Sequence, residues 1–358
     1  MIFHRALLRE FAGLAGAVFM TLFAIALTTR LIRLLGQAAG GKIPSDAVIA
    51  FLGFFALGTL PVLLSLTMFI SVLLTLTRSW RDSEMVVWFG SGLSLMAWLK
   101  PVMQFALPQI AVIAALSLFI SPWAAQMASQ YQTRVEARDD VSRVDPGVFA
   151  ETSNRERVFF VESVSGDSSS VQNVFVSSLQ QKKMGVSMSR TGRTETAQNG
   201  DRFIVLEKGR RYEGAPGDAE YRVTEFDRYA ARIETKESAQ PQQTPKSLTT
   251  WTLIKNPSTA NLGELTWRFG IPMSALVLVL LAIPLSFVNP RAGRSVNLLY
   301  ALLTYIIYSN LLSVIQARVA QGKLDFGVGW WVVHAGMVLL LVFMFAQRMQ
   351  LIRLRLAR

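Results

Sequence analysis

The run AVIAFLGFFALGTLPVLLSLTMFISVLLTLT, residues 47–77, contains no Asp, Glu, Lys or Arg. A helix rises about 1.5 Å per residue and the hydrocarbon layer is about 30 Å thick, so such a run is a membrane span. Five further charge-free runs are as decisive: Phe11 to Thr29, Pro101 to Thr133, Phe269 to Pro290, Ser295 to Ala317 and Phe326 to Gln347. The fold class is therefore an α-helical polytopic membrane protein with six spans. The first run follows His4, Arg5 and Arg9, as a secretory signal would. It is too long for one and leads into Arg30 and Arg33 without a small-residue cleavage site, so it stays as a span.

Charge gives the orientation. Between Trp123 and Leu265 there are 19 Lys plus Arg and 19 Asp plus Glu, whereas the rest of the chain has 17 against 5 and carries the whole net charge of +12. With the N-terminus inside, one side holds Arg5, Arg9, Arg78, Arg81, Lys100, Arg291, Arg294, Arg348, Arg353, Arg355 and Arg358. The short outer pieces hold Arg30, Arg33, Lys42, Arg318 and Lys323, with Arg268 at the outer edge of the fourth span. The excess of positive charge on inner loops puts both termini in the cytoplasm and residues 123–265 outside it. A neutral segment offers no footprint for nucleic acid. The chain has no cysteine, so the outer segment rests on a core without disulfides.

Three spans, one insert and three more spans make a 3+3 plan: 1–122, 123–265 and 266–358. Within the insert, VFFVESV (158–164), VQNVFVS (171–177), RFIVLE (202–207), EYRVTEF (220–226) and RYAARIE (228–234) are short β-rich segments. SGDSSS, TGRTETAQNGD and EGAPGD read as turns between them. An all-β antiparallel sandwich or roll, jellyroll-like, is expected, with QPQQTPKS (240–247) as a strap leading back to the fourth span. No tandem repeat is found.

Motifs for chemistry are sparse. GQAAGGKI (36–43) has the spacing of a phosphate-binding loop up to Ile43, where a hydroxyl is needed, and it joins two spans instead of a strand to a helix. Two histidines, His4 and His334, and no cysteine give no metal constellation, and no catalytic group is assigned. His334, inside the last span, is expected to hydrogen-bond a neighbouring helix. Proton or sodium coupling is disfavoured because no Asp or Glu is expected inside any span, which leaves His334 as its one candidate. Arg30 and Arg33 share a helix face at the outer end of the first span. Two readings stand: snorkelling to headgroups, or a basic patch for a phosphate-bearing substrate, with burial deciding between them. Arg318 and Lys323 either extend that patch or pair with Asp325.

Between the second and third spans lies SWRDSEMVVWFGSGLS, residues 79–94. Ser79, Asp82 or Ser83 is placed to cap a helix with Glu84 in its first turn and Gly90 or Gly92 at its end. Met85, Val86, Trp88 and Phe89 are too many apolar side chains to hide against the two adjoining spans. A helix along the membrane face is expected, either passive in the headgroups or docked to another protein through Glu84.

SEMVVWFGSGLS (83–94), VNPRAGR (288–294) after the span end IPLS, and QGKLD (321–325) before the last span together resemble the LptF/LptG lipopolysaccharide-export permeases. The similarity in layout covers nearly the whole chain. It implies a non-enzymatic permease subunit of an ABC transporter in the inner membrane of Gram-negative bacteria. Its partners would be an LptG-like second permease, an LptB-like ATPase dimer that binds the ATP and Mg, an LptC-like anchored protein and an LptA-like periplasmic bridge; no cofactor belongs to this chain. The insert would then be periplasmic and lipopolysaccharide the cargo. By the same resemblance 82–92 is the coupling helix, with Asp82, Ser83, Glu84, Met85, Trp88 and Gly92 facing the ATPase, and Arg30 and Arg33 meet lipid phosphates. The first and fifth spans would form the lipid gates. The competing reading is a non-transporting sensor or scaffold with an outer β domain, which needs no ATPase.

Overall fold

The computed structural model describes residues 2–40, 43–136, 147, 149–151, 157–164, 170–180, 183–196, 202–214, 222–232, 244–287 and 296–349. VNPRAGR (288–294) lies outside them, as does the tail beyond Met349. The chain packs as two units, 1–130 with 242–358, and 131–241.

In the helical unit, α1 (Ile2–Ala39) and α2 (Ala47–Arg81) are the first two spans, and a short α3 (Glu84–Gly90) follows. The third span begins with a 3₁₀ turn, then runs through α4 (Leu99–Ala115), a π-helical turn at Leu116–Ile120 and α5 (Ser121–Glu136). After the insert come α6 (Thr250–Lys255), α7 (Thr259–Leu285), α8 (Val296–Ala320) and α9 (Phe326–Arg348). Among the described residues six helices are long and apolar enough to cross a membrane, as the charge-free runs predict. GQAAGGKI starts inside α1, so no strand precedes it. Caps follow ordinary chemistry: Thr249 accepts from Thr252 N, Ser258 from Asn261 N and Asp325 from Gly327 N, starting α6, α7 and α9.

α7 is the pillar. Two thirds of its most apolar window is buried, 67 %, against 6 % for α1 and 17 % for α8. Its sequence accounts for this: at Gly270 an added Cβ would meet Leu312 at 2.7 Å, and at Gly263 it would meet Ala320 at 2.6 Å. Small residues let α8 approach the α7 backbone, where packing and not water release drives helix association. Val279, Leu281 and Ala282 of α7 join Phe69, Val72 and Leu76 of α2 and Val102 of α4 in one core. The outward apolar faces of α1 and α8 suit lipid or another subunit.

The fourth span differs from its expected bounds. Its helix begins at Thr259, ten residues before the charge-free run, and so contains Glu264 and Arg268. Both are buried, and Arg268 Nε donates to Glu264 Oε1 at 2.9 Å. The pair neutralises itself one helical turn apart, so charges that mark a boundary in sequence sit inside the helix in structure, and the expectation that no acid lies within a span fails at Glu264.

The second unit is an antiparallel sheet of six strands in sequential order: β1 (Phe149–Glu151), β2 (Arg157–Val164), β3 (Ser170–Gln180), β4 (Lys183–Thr196), β5 (Arg202–Gly214) and β6 (Arg222–Arg232). The inserted β domain is thus present, and its described strands form a meander without crossover. Two expected segments, 220–226 and 228–234, merge into β6. β4 has no counterpart among the expected segments, and its end runs into a stretch that reads as turn. Its buried residues Gly185, Ser187 and Ser189 are small or polar, and its alternating apolar residues Met184, Val186 and Met188 lie on the other face. A line crosses the sheet where pairs are skipped without a change of register: Glu162, Asn173, Arg190, Lys208 and Asp227. Asn173 and Lys208 on it have left-handed backbone, φ 49° and 54°. Beside it, a Cβ on Gly209 would lie 2.3 Å from Met188 O, so only glycine fits. Phe149, Phe160, Phe175 and Met188 pair in series across β1–β4 and form an apolar row whose ends, Phe149 and Met188, are exposed.

Candidate functional site

The segment between α2 and α3 is built by a backbone reversal. α2 ends at Arg81, and Asp82 N donates to Arg78 O. Ser83 then takes a left-handed conformation, φ 63°, before α3 starts at Glu84. The expected capping does not occur. Ser79 is buried within α2, Ser83 makes no side-chain cap bond, and Asp82 pairs with Arg78 and Arg81, both at 3.3 Å. At seven residues α3 is shorter than 82–92 and stops at Gly90, with Gly92 at φ 89° in the exit turn.

One face of α3 is anchored and the other is presented. Met85 is 1 % exposed, and Trp88 and Phe89, three and four residues on, pack half-buried on the same core. Phe89 meets the Trp80 ring at 5.4 Å. Val86 and Val87 point the opposite way, 63 % and 71 % exposed. Met85 and Trp88 therefore hold the helix, whereas Val87, absent from the sequence-based candidates, is part of its free surface. A β-branched pair at consecutive positions is the signal for it, since one helix cannot bury both on the face that holds Met85 and Phe89.

Glu84 does not project freely. Arg78 donates to Glu84 Oε1 at 3.1 Å, to Asp82 Oδ2 at 3.3 Å and, through Nη2, to Glu10 Oε2 at 2.9 Å. One guanidinium thus joins α1, α2 and α3. Its side chain and its carboxylate partners are each 34–41 % exposed, so the cluster is open to an incoming group and its strength is moderated by water. Glu10 and Arg78, 68 residues apart, carry no sequence signal that links them.

Arg30 and Arg33 are separated by burial. Arg30 lies over the Phe55 ring of α2 at 5.1 Å, and its Nε is buried without a hydrogen-bond partner among the described residues. Arg33 is exposed. Arg30 is thus held against the Phe55 ring, and Arg33 keeps the freedom of a surface cation.

Sequence reasoning passed over a second polar node. Arg268 is 2 % exposed and, besides Glu264, donates to Thr250 Oγ1 at 2.9 Å and to the carbonyls of Pro245, Lys246 and Leu248 at 3.0–3.2 Å. Ser117 of the π-helical turn donates to Arg268 O at 2.9 Å, and Thr250 to Leu118 O, a carbonyl of the same turn. The strap is thereby fastened to the third and fourth spans. Elsewhere His334 Nδ1 bonds Tyr308 OH of α8 at 2.6 Å, the helix-to-helix bond expected for it. Asp325 caps α9 and forms no ion pair with Arg318 or Lys323.

Residues 5–347 match the family described as lipopolysaccharide export system permease LptF/LptG. The chain is similar to the lipopolysaccharide export system permease protein LptF of Escherichia coli strain K12, 28 % identical over 337 residues, covering 93 % of this chain and 92 % of that one. The same protein of Shigella flexneri matches to the same extent.

Proposed function

The chain belongs to the LptF/LptG family of lipopolysaccharide export permeases, and from that premise we propose that it is the LptF-type subunit of an ABC transporter that extracts lipopolysaccharide from the inner membrane. In this reading a separate LptB-like ATPase dimer supplies the energy, an LptG-like permease completes the cavity, an LptC-like protein joins it, and the β domain passes the lipid to an LptA-like periplasmic bridge. Both termini face the cytoplasm and the β domain faces the periplasm.

The observation that carries the proposal is the construction of α3. A two-turn helix clamped by Met85, Trp88 and Phe89, presenting Val86 and Val87 with Asp82 and Glu84 at its base, has the form of a short lever seated for a partner's groove. A passive headgroup helix would hold Lys or Arg on its polar side, and between Asp82 and Leu93 there is none.

Transmission follows from Arg78. A push on α3 loads the Arg78 guanidinium through Glu84, and that group also holds Glu10 of α1. α1 extends 38 residues from this end to Arg30 and Arg33 at the other. Each acyl CH₂ favours the bilayer by about 0.8 kcal/mol, so extraction needs a cavity that replaces lipid and then closes. Arg30, held over Phe55, orients a lipid phosphate beside α1. Closure driven from α3 tilts α1 and α2 and makes the cavity unfavourable for the chains. Apolar faces on α1 and α8 suit the gates, and the Phe149–Met188 row supports passage of acyl chains along the β domain.

Gentle solubilisation and purification of the native complex tests this. Copurification of an ATPase and a second permease, with lipopolysaccharide crosslinking to a photoreactive residue near Arg30, is expected. A chain that purifies alone and crosslinks no lipopolysaccharide would leave the sensor reading in its place.

A further inference from the structure

A cavity of about 570 Å³ opens at the α3 end of the spans, walled by Trp80, Phe89, Leu95, Ile283 and Phe287 and closed by Gln347, Arg348 and Met349. Its walls are apolar, and Arg348 is the one charged side chain among the described residues that line it. Arg348 lies over the Phe287 ring at 4.0 Å, with no carboxylate paired to it among the described residues. The Trp80 ring forms part of the wall, with its indole Nε1 buried beneath the surface. Ser94 and Gln347 are the other polar side chains among the described lining residues, none of which is an acid.

Met349 also lines a second, wholly apolar groove of about 300 Å³, formed with Leu99, Leu280, Leu341, Val342 and Phe345 between α4, α7 and α9. A chamber with a guanidinium in its wall, sharing Met349 with an apolar furrow, is shaped for a molecule with an anionic head and a hydrocarbon tail. The sequence favours negative charge in the head: Arg291 and Arg294 follow Phe287 in the chain, and Arg353 and Arg355 follow Met349. A zwitterionic head would bring a quaternary ammonium into that setting.

We propose that this cavity and groove bind an acidic phospholipid of the adjacent leaflet, its phosphate on Arg348 and one acyl chain along α9. The inference rests on the membrane reading of the spans and not on the identity of the transported lipid. It has a mechanical corollary. Trp80 touches both Phe89 on α3 and Phe287 beyond α7, at 5.4 Å and 4.8 Å between ring centroids, so a lipid that fixes Trp80 stiffens the seat of α3.

The test uses the full chain, purified with whatever subunits accompany it, in nanodiscs of dioleoylphosphatidylglycerol or dioleoylphosphatidylcholine, followed by release into detergent and native mass spectrometry. Retained phosphatidylglycerol and little phosphatidylcholine are expected. Arg348→Gln is expected to reduce retention about tenfold, the loss of one charge-assisted phosphate contact. Equal retention of both lipids, or unchanged retention in Arg348→Gln, overturns the proposal. So does displacement of the phospholipid by added lipopolysaccharide, which would make this a cargo site, or retention that appears only when residues 350–358 are removed, which would make the chain's own tail the occupant.

Discussion

Replacing Arg268 by Met is expected to unfasten the strap that returns the chain to the helices. Methionine keeps much of the stem volume but deletes the donors to Glu264, Thr250 and the carbonyls of Pro245, Lys246 and Leu248. It also leaves Glu264, 8 % exposed, without its counter-ion. Breaking a buried pair from one side costs about 3–5 kcal/mol, and relaxation and water entry as the strap loosens return part of this, so a net of about 2–4 kcal/mol is expected. At a factor of ten per ~1.4 kcal/mol, the open population of the strap rises roughly 30- to 1,000-fold. Because the chain has no cysteine, Ser247→Cys provides a lone thiol in the strap, at a site 8 % exposed. When closing outpaces the reagent, its maleimide labelling rate reports the open population. The double change Arg268→Met with Glu264→Leu removes both charges and is expected to bring labelling back to within about tenfold of the parent. Labelling of Arg268→Met within about threefold of the parent, less than ~1 kcal/mol, would refute the claim that this node holds the strap.

Four further outcomes are expected. Val86→Asp with Val87→Asp should abolish copurification of the ATPase while leaving thermal stability within about 0.5 kcal/mol, since both side chains are exposed; Met85→Ala should instead cost about 2–5 kcal/mol by opening the core under α3. Arg78→Met should let ATP hydrolysis continue with little lipopolysaccharide release, and because the cluster is half exposed its stability cost should stay near ~1 kcal/mol. Arg30→Ala with Arg33→Ala should reduce lipopolysaccharide photocrosslinking along α1 and leave ATP binding intact, Arg30→Ala alone accounting for most of the loss. Gly209→Val should destabilise the β unit by about 1–3 kcal/mol, read as faster limited proteolysis within 131–241.

The spans are legible because the absence of charge is a one-dimensional property: no partner is needed to read Ala47 to Thr77 as membrane-embedded. The start of α7 is not, since Glu264 and Arg268 satisfy each other and a rule that counts charges singly cannot see a pair. The β-rich segments of β2, β3 and β5 can be read from their Val and Phe content, whereas β4 buries Gly185, Ser187 and Ser189, sets its alternating Met184, Val186 and Met188 on the opposite face, and holds a single Val and no aromatic residue. For α3 the sequence marks an amphipathic segment and the acid in its first turn. Which side chains anchor and which are presented depends on what α2 and α7 place behind Met85. The Arg78 cluster is invisible in sequence because Glu10 joins it only through the packing of α1 on α2.

The row of skipped pairs in the sheet has a consequence for how this domain can vary. Since Glu162, Asn173, Arg190, Lys208 and Asp227 interrupt the ladders while the alignment on both sides stays the same, losing one of them from a single strand would put the remainder of that strand out of step and invert its faces. Side-chain replacement along this crease is tolerable one position at a time; a change of length is not.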